Sequence, residues 1–149
     1  MAVLQGSFGE EIATGYPGME ADGELSNPIT RTLEVASCGF GKAVYRGAND
    51  RGAVTTPAAG ALLGFTIKNP GLPVTADRPA DAFARGDNLR IKNRGKIWVL
   101  AGANVADGDP VYVTAAGAIT NATTGNTAAD GWTFDDTAAS GAVVRIVRR

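Results

Sequence analysis

The chain has no histidine. That absence removes Ser-His-Asp and Cys-His catalysis and the commonest zinc ligand. Its single cysteine, Cys38, excludes an intrachain disulfide and any cysteine-built zinc or iron–sulfur centre. A lone cysteine points to a reducing compartment of synthesis and to a small buried residue. No apolar run approaches the roughly 18 residues needed to cross a bilayer. The opening MAVLQGSFGEE lacks the basic and apolar regions of a secretory signal, so a soluble chain is expected. Charged residues are 19%, below the usual share of about 25%, and the formal net charge is −1. Neither nucleic acid nor a membrane is therefore an expected partner.

What is present is glycine, 20 residues of 149, with an ordinary apolar fraction of 44%. Many turns and short strands follow from that composition. The region from Asn88 to Thr120 sets the pattern. Leu89 and Ile91 alternate with Arg90 and Lys92, and Asn93-Arg94-Gly95 offers a hairpin loop. Lys96 to Leu100 is apolar on both faces and reads as a central strand. Asp107-Gly108-Asp109-Pro110 is a turn before Val111-Tyr112-Val113, and Ala116-Gly117-Ala118 turns back into Ile119. Together these predict a β-meander.

Elsewhere, Gly39 to Tyr45 reads as one strand with close-packed glycines. Gly47 to Gly60 reads as a loop, and Leu62 to Ile67 as a strand. Pro79 to Arg85 predicts a turn or two of helix with Asp77 near its start. Asn121 to Gly131 reads as a loop, Trp132 to Phe134 as a short strand, and Ala142 to Arg149 as the closing strand. The expected core anchors are Phe40, Phe65, Ile97, Val99, Val111, Val113, Val144 and Ile146.

Residues 1–28 are broken by glycines and prolines and read as an extended arm preceding a single β domain, 29–149. Drawn out, such an arm spans up to roughly 90 Å. It either crosses onto a neighbouring molecule or wraps on its own domain. Charge is segregated along the chain. Glu10, Glu11, Glu20, Asp22 and Glu24 lie in the first 30 residues, which hold no Lys or Arg. Arg85, Arg90, Lys92, Arg94 and Lys96 cluster, and Arg145, Arg148 and Arg149 end the chain. One reading is solvated faces; the sharper one is that these stretches meet across subunit contacts.

No motif carries reaction chemistry. Gly39-Phe40-Gly41-Lys42 lacks the spacing and the following helix of a phosphate loop. Asp107-Gly108-Asp109 could present oxygens to calcium, but a turn explains it more simply. Glu10-Glu11 and Asp135-Asp136 point different ways on extended chain. Trp98, Tyr112, Trp132 and Phe134 could stack on sugars, although strand aromatics are more often anchors. Asn121-Ala122-Thr123 is a glycosylation sequon without a secretory route. A non-enzymatic chain with no cofactor and no metal is expected.

The order of several patterns resembles the capsid cement, or decoration, proteins of tailed bacteriophages. They are Gly15-Tyr16-Pro17-Gly18-Met19 with Ala21-Asp22, Ser26-Asn27-Pro28-Ile29, Gly39 to Val44, Leu63-Gly64-Phe65, Gly95 to Val99, and Asp107 to Val113. The resemblance runs through most of the chain and contains no catalytic signature. It implies an all-β, jelly-roll-like or Greek-key sandwich or barrel on the outer surface of a virion head, made in the bacterial host cytoplasm. The implied partners are the major capsid protein and further copies of the chain, as dimer or trimer. Candidate contact residues are Tyr16, Pro17, Met19, Glu20, Asp22 and Glu24 of the arm, with Arg90, Lys92, Arg94, Arg148 and Arg149. The alternative is a carbohydrate- or receptor-binding β-module displayed on a virion.

Overall fold

The computed structural model describes residues 14–57, 60–76 and 78–149. These residues form an all-β molecule. Its strands are β1 Pro28–Leu33, β2 Ser37–Gly39, β3 Ala43–Arg46, β4 Gly52–Val54, β5 Leu62–Thr66 and β6 Ala82–Ala84. Then follow β7 Asn88–Lys92, β8 Gly95–Leu100, β9 Pro110–Val113, β10 Ile119–Thr120, β11 Thr127–Phe134 and β12 Val143–Arg148. Among the described residues no helix is long and apolar enough to cross a membrane.

Three sheets result. A closed barrel runs β1-β4-β3-β5-β7, sealed where β1 pairs antiparallel with β7 from Pro28↔Lys92 to Thr32↔Asn88. A five-stranded sheet runs β10-β9-β11-β12-β8, and β2 with β6 makes a small ribbon. The long seam of the five-stranded sheet is β8 on β12, from Val143↔Leu100 to Arg148↔Gly95. A parallel bridge from Ala101 to Ile119 ties the end of β8 back to β10. Barrel closure removes the edges of that sheet, and the bridge covers part of the β10 edge of the other.

Two apolar clusters hold these layers together. One joins β3 and β5 to the five-stranded sheet through Tyr45, Phe65, Ile97, Val99, Val111, Val113, Trp132, Phe134, Val144 and Ile146. Phe65 meets Trp132 edge-on at 4.9 Å between ring centroids. The other gathers Leu33, Cys38, Phe40, Val44, Leu63, Phe83, Leu89 and Ile91. Phe40 meets Phe83 edge-on at 5.2 Å. All eight expected anchors, including Phe40 and Phe65, are buried. Each fully buried side chain of this size contributes about 1.5–3 kcal/mol. Side chains alternate across β3, so Ala43 and Tyr45 serve one cluster and Val44 the other. The β3–β5 register shift at Val44/Tyr45, opposite Gly64, lets Leu62 and Phe65, three residues apart, join the same cluster. Gly64 has φ +141°, and a Cβ there would lie 2.0 Å from the Lys92 carbonyl oxygen. The bulge therefore depends on glycine.

Five local expectations are corrected. Gly47 to Gly60 is not all loop, because Gly52–Val54 is β4, paired with β1 and β3 in the barrel. The four-strand meander does not form, although its last pair does: β9 and β10 pair antiparallel across Ala116-Gly117-Ala118. β7 pairs with β1 and β5, and β8 pairs with β12, so Asn93-Arg94-Gly95 is a corner between sheets. The five-stranded order also places β12 and β11 between β8 and β9. Gly39 to Tyr45 is not one strand, because Phe40-Gly41-Lys42 turns between β2 and β3. Pro79 to Arg85 holds the extended β6, paired with β2, and not a helix. The Asp87 carboxylate accepts from the Ala84 amide and from Arg78, fixing a turn where a helix would need its own ladder. Asp77 lies outside the described residues. Finally, Thr127 to Asp130 belongs to β11, where Val113 and Tyr112 supply the ladder partners that these small residues accept.

Candidate interaction surface

The described part of the N-terminal segment, from Thr14, lies against its own molecule. It follows the side of β8 that β12 leaves open. Gly18 N–H donates to the Trp98 carbonyl at 2.8 Å, Trp98 N–H to Met19 at 2.9 Å, and Ala21 N–H to Lys96 at 3.2 Å. These bonds flank the antiparallel bridge Glu20↔Ile97. On the segment's other side, Lys68 N–H donates to the Gly18 carbonyl at 2.8 Å. Lys96 to Leu100, apolar on both faces, is thus a terminal strand of the named sheet whose edge the segment covers.

Close approach sets the register. A Cβ on Gly18 would lie 2.8 Å from the Phe40 Cβ and 2.9 Å from the Lys68 nitrogen. A Cβ on Gly41 would lie 2.7 Å from the Gly18 nitrogen and 3.1 Å from the Trp98 oxygen. Both glycines have positive φ, +85° and +66°. Two backbones meet face to face here, and any side chain at either position drives them apart.

Charge completes the clip. Lys92 is buried and its Nζ lies 2.5 Å from Glu20 Oε1, with Arg90 at 3.7 Å from the same carboxylate. Lys96 is also buried, and its Nζ sits among Asp135 at 2.8 Å, Asp22 at 3.1 Å and Glu24 at 3.2 Å. Arg149 reaches Glu24 at 3.1 Å and Asp135 at 3.5 Å. The hydrogen bond from Lys92, opposed by burial, holds Glu20 below the ordinary glutamate range. Burial pushes Asp22 upward, but the Glu24 amide and Lys96 together hold it below its usual value. The bond to Asp135, with Asp22 and Glu24 beside it, outweighs burial and raises Lys96. The ammonium is therefore fixed as a cation, a fit for carboxylates and a poor fit for nucleophilic chemistry.

Outside the clip lies an apolar strip. Tyr16 is 47% exposed, Met19 38% and Leu100 43%. Lys68 sits 4.3 Å over the Tyr16 ring, and a shallow groove runs between Tyr16, Pro17, Phe40, Lys68 and Leu100. Apolar surface beside charge is the composition of a protein contact.

The contact candidates thus fall into groups. Tyr16 and Met19 are exposed, and Pro17 is half-buried beside them. Glu20, Asp22 and Glu24 are bound within the chain, to Lys92, Lys96 and Arg149. The segregated charges therefore meet inside one molecule. Lys92, 1% exposed, is no surface contact in this arrangement. Arg90, Arg94 and Arg149 are exposed, while Arg148 is half-buried and reaches the Asn93 carbonyl. Glu10 and Glu11 lie outside the described residues. Sequence reasoning missed Lys96 as the hub, with Asp135, Trp98 and Leu100. The signal was available: one lysine opens an otherwise apolar strand, so its ammonium needs a partner.

The sugar-stacking platform is not assembled, because Trp98, Trp132 and Phe134 are buried. Asp107-Gly108-Asp109 is a turn in which Asp109 accepts from the Ala106 amide at 2.9 Å and from Asn121 at 2.6 Å. Among the described residues no acidic or sulfur cluster is set to hold a metal ion.

A family model described as structural cement protein (E217 gp24/Pam3 gp6) matches residues 4–149. No curated protein matches the chain. Among solved structures, a chain from the capsid of Myoviridae phage XM1 has a TM-score of 0.70 at 14% identity, covering 98% of this chain and 97% of that one. A chain from the head fibre gp8.5 N base of bacteriophage phi29 has a TM-score of 0.49 at 12% identity, covering 84% and 95%. The first of these likenesses is one of fold.

Proposed function

This chain belongs to the structural cement protein family, and on that premise we propose that it binds the outer face of an assembled phage head where major capsid subunits meet. Its role is structural, in the virion, in association with capsid protein. In the proposed role it holds the shell against the pressure of packaged DNA and turns over no substrate. It acts as a homo-oligomer, dimer or trimer, and is made in the host cytoplasm before it decorates the head.

The observation that carries this reading is the family match over nearly the whole length. The surface supports it. Tyr16, Met19 and Leu100 are exposed apolar residues, and Lys68 lies beside Tyr16 and Leu100 in one groove. A stable contact buries roughly 1,200–2,000 Å². Repetition over a shell multiplies modest contacts through avidity.

The test is co-sedimentation of purified protein with heads that lack it. Saturable binding, with a later onset of heat-induced DNA release, is expected. Tyr16→Ala with Leu100→Ser should lower occupancy while leaving thermal unfolding nearly unchanged. Failure to sediment with heads at any ionic strength would overturn the reading.

A further inference from the structure

The open side of β8 is built as a peptide-binding cleft, and the structure shows it filled by the chain's own segment. We propose that this cleft also receives the same segment, Thr14 to Glu24, from a second copy, so that copies are joined by exchange of this strand. The inference does not rest on head binding.

Three observations carry it. The cleft recognises its occupant. It offers the free ladder groups of Lys96 and Trp98, the bare backbone of Gly41, and the buried cations Lys92 and Lys96. An occupant needs a side-chain-free position followed by acids at alternate positions. The segment supplies Gly18, then Glu20, Asp22 and Glu24, and carries no base. Next, nothing covalent beyond the chain itself holds the segment in place. Every contact named above is a hydrogen bond, an ion pair or packing, and each forms equally well with a segment from another molecule. Last, the connection to β1 is suited to a hinge. Leu25, Ser26 and Asn27 are exposed, Leu25 at 72%. Of the backbone bonds there, Asn27 N–H to the Arg94 carbonyl is long, at 3.4 Å.

Closed and exchanged forms share these contacts. They differ by the local concentration that the tether provides, and by strain in the hinge. Exchange is therefore favoured wherever copies are crowded together.

The test uses two full-length variants, each unable to close on itself. In Gly18→Val the segment carries a side chain that meets Phe40 and the Lys68 backbone, while the cleft is unaltered. In Gly41→Asn the cleft is filled and the segment is unaltered; asparagine tolerates the positive φ at that position. Each alone should sediment as the smaller species, and an equimolar mixture should form a one-to-one heterodimer. Two folded variants that stay apart at high micromolar concentration would overturn the proposal. Should Gly41→Asn fail to fold, a fluorescein-labelled peptide of residues 14–24 is titrated against Gly18→Val and the unsubstituted chain. Binding at least about tenfold tighter to Gly18→Val is expected, because there the tethered competitor is absent. No binding to that variant, or equal binding of a peptide with Glu20, Asp22 and Glu24 neutralised, would overturn it.

Discussion

The two sides of β8 are held by different physics. Towards β12, six consecutive residue pairs run from Gly95 to Leu100, and Ile97, Val99, Val144 and Ile146 are fully buried. Towards the N-terminal segment there is one bridge, a glycine contact, and charges whose partners reach solvent. The side-chain exposures of Glu20, Asp22 and Glu24 are 33%, 37% and 32%. An apolar seam is non-directional and insensitive to salt. A charged seam is specific, screened by salt and dependent on pH. One strand thus carries a permanent partner on one side and a conditional one on the other.

That contrast can be broken first at its strong side. Ile146→Ala should cost about 2–5 kcal/mol of stability, as large-to-small changes in a packed core do. Chemical denaturation would show the whole molecule unfolding earlier. Lys96→Met should cost less, about 1–3 kcal/mol, because the three carboxylates left behind are partly hydrated. Its loss should appear as faster hydrogen exchange at the Trp98 and Ala21 amides, which bond across the segment seam. If it instead accelerated Ile97 and Val99 equally, the two sides would be one unit and the comparison would fail.

Acid sharpens the comparison further. Glu20 and Asp22 have folded values below their ordinary 4.5 and 3.8. Their contribution is therefore complete above about pH 4.5 and is lost as pH falls through the lowered values. Lys96 is raised, so with its carboxylate partners ionised its contribution is complete below about pH 10.5 and decays only in strong base, whereas in acid it goes with those carboxylates. Between pH 5 and the acid limb, roughly pH 3, the segment amides should lose protection while the β12-facing amides keep theirs. Simultaneous loss would show that the charges do not control the segment. The smallest effect is expected from Arg94→Ala. This side chain is exposed and makes no ion pair among the described residues. Its thermal midpoint should move by no more than about 0.5 kcal/mol allows.

Much of the architecture was legible because it is local. The run Leu62 to Ile67 and the closing run after Ala142 announce strands by their apolar content, and the anchors inside them are buried. Partner choice was not legible. Asn93-Arg94-Gly95 has the residues of a hairpin, yet β7 and β8 separate into different sheets. A turn fixes the chain's direction, whereas a strand's neighbours are chosen by burial far along the sequence. The helix expected at Pro79 to Arg85 failed for a related reason. Phe83 is drawn into the barrel cluster and the backbone finds its bonds on β2. The charge pattern pointed to acids meeting bases, and it could not say whether they meet within one molecule or between two. The hub at Lys96 was hidden because its partners Asp22, Glu24 and Asp135 come from opposite ends of the chain.

Cys38 sits in the barrel cluster at 3% exposure, and burial pushes its thiol up to about 11. At neutral pH it is protonated and shielded, so alkylating reagents reach it when the β2–β6 ribbon that carries it opens. The segment seam borders this region, because Gly18 packs on Phe40 and Gly41 just beyond β2, so detachment of the N-terminal strand is expected to hasten labelling of this thiol. The molecule thus carries its own stopwatch for opening of the ribbon, one that needs no engineered label.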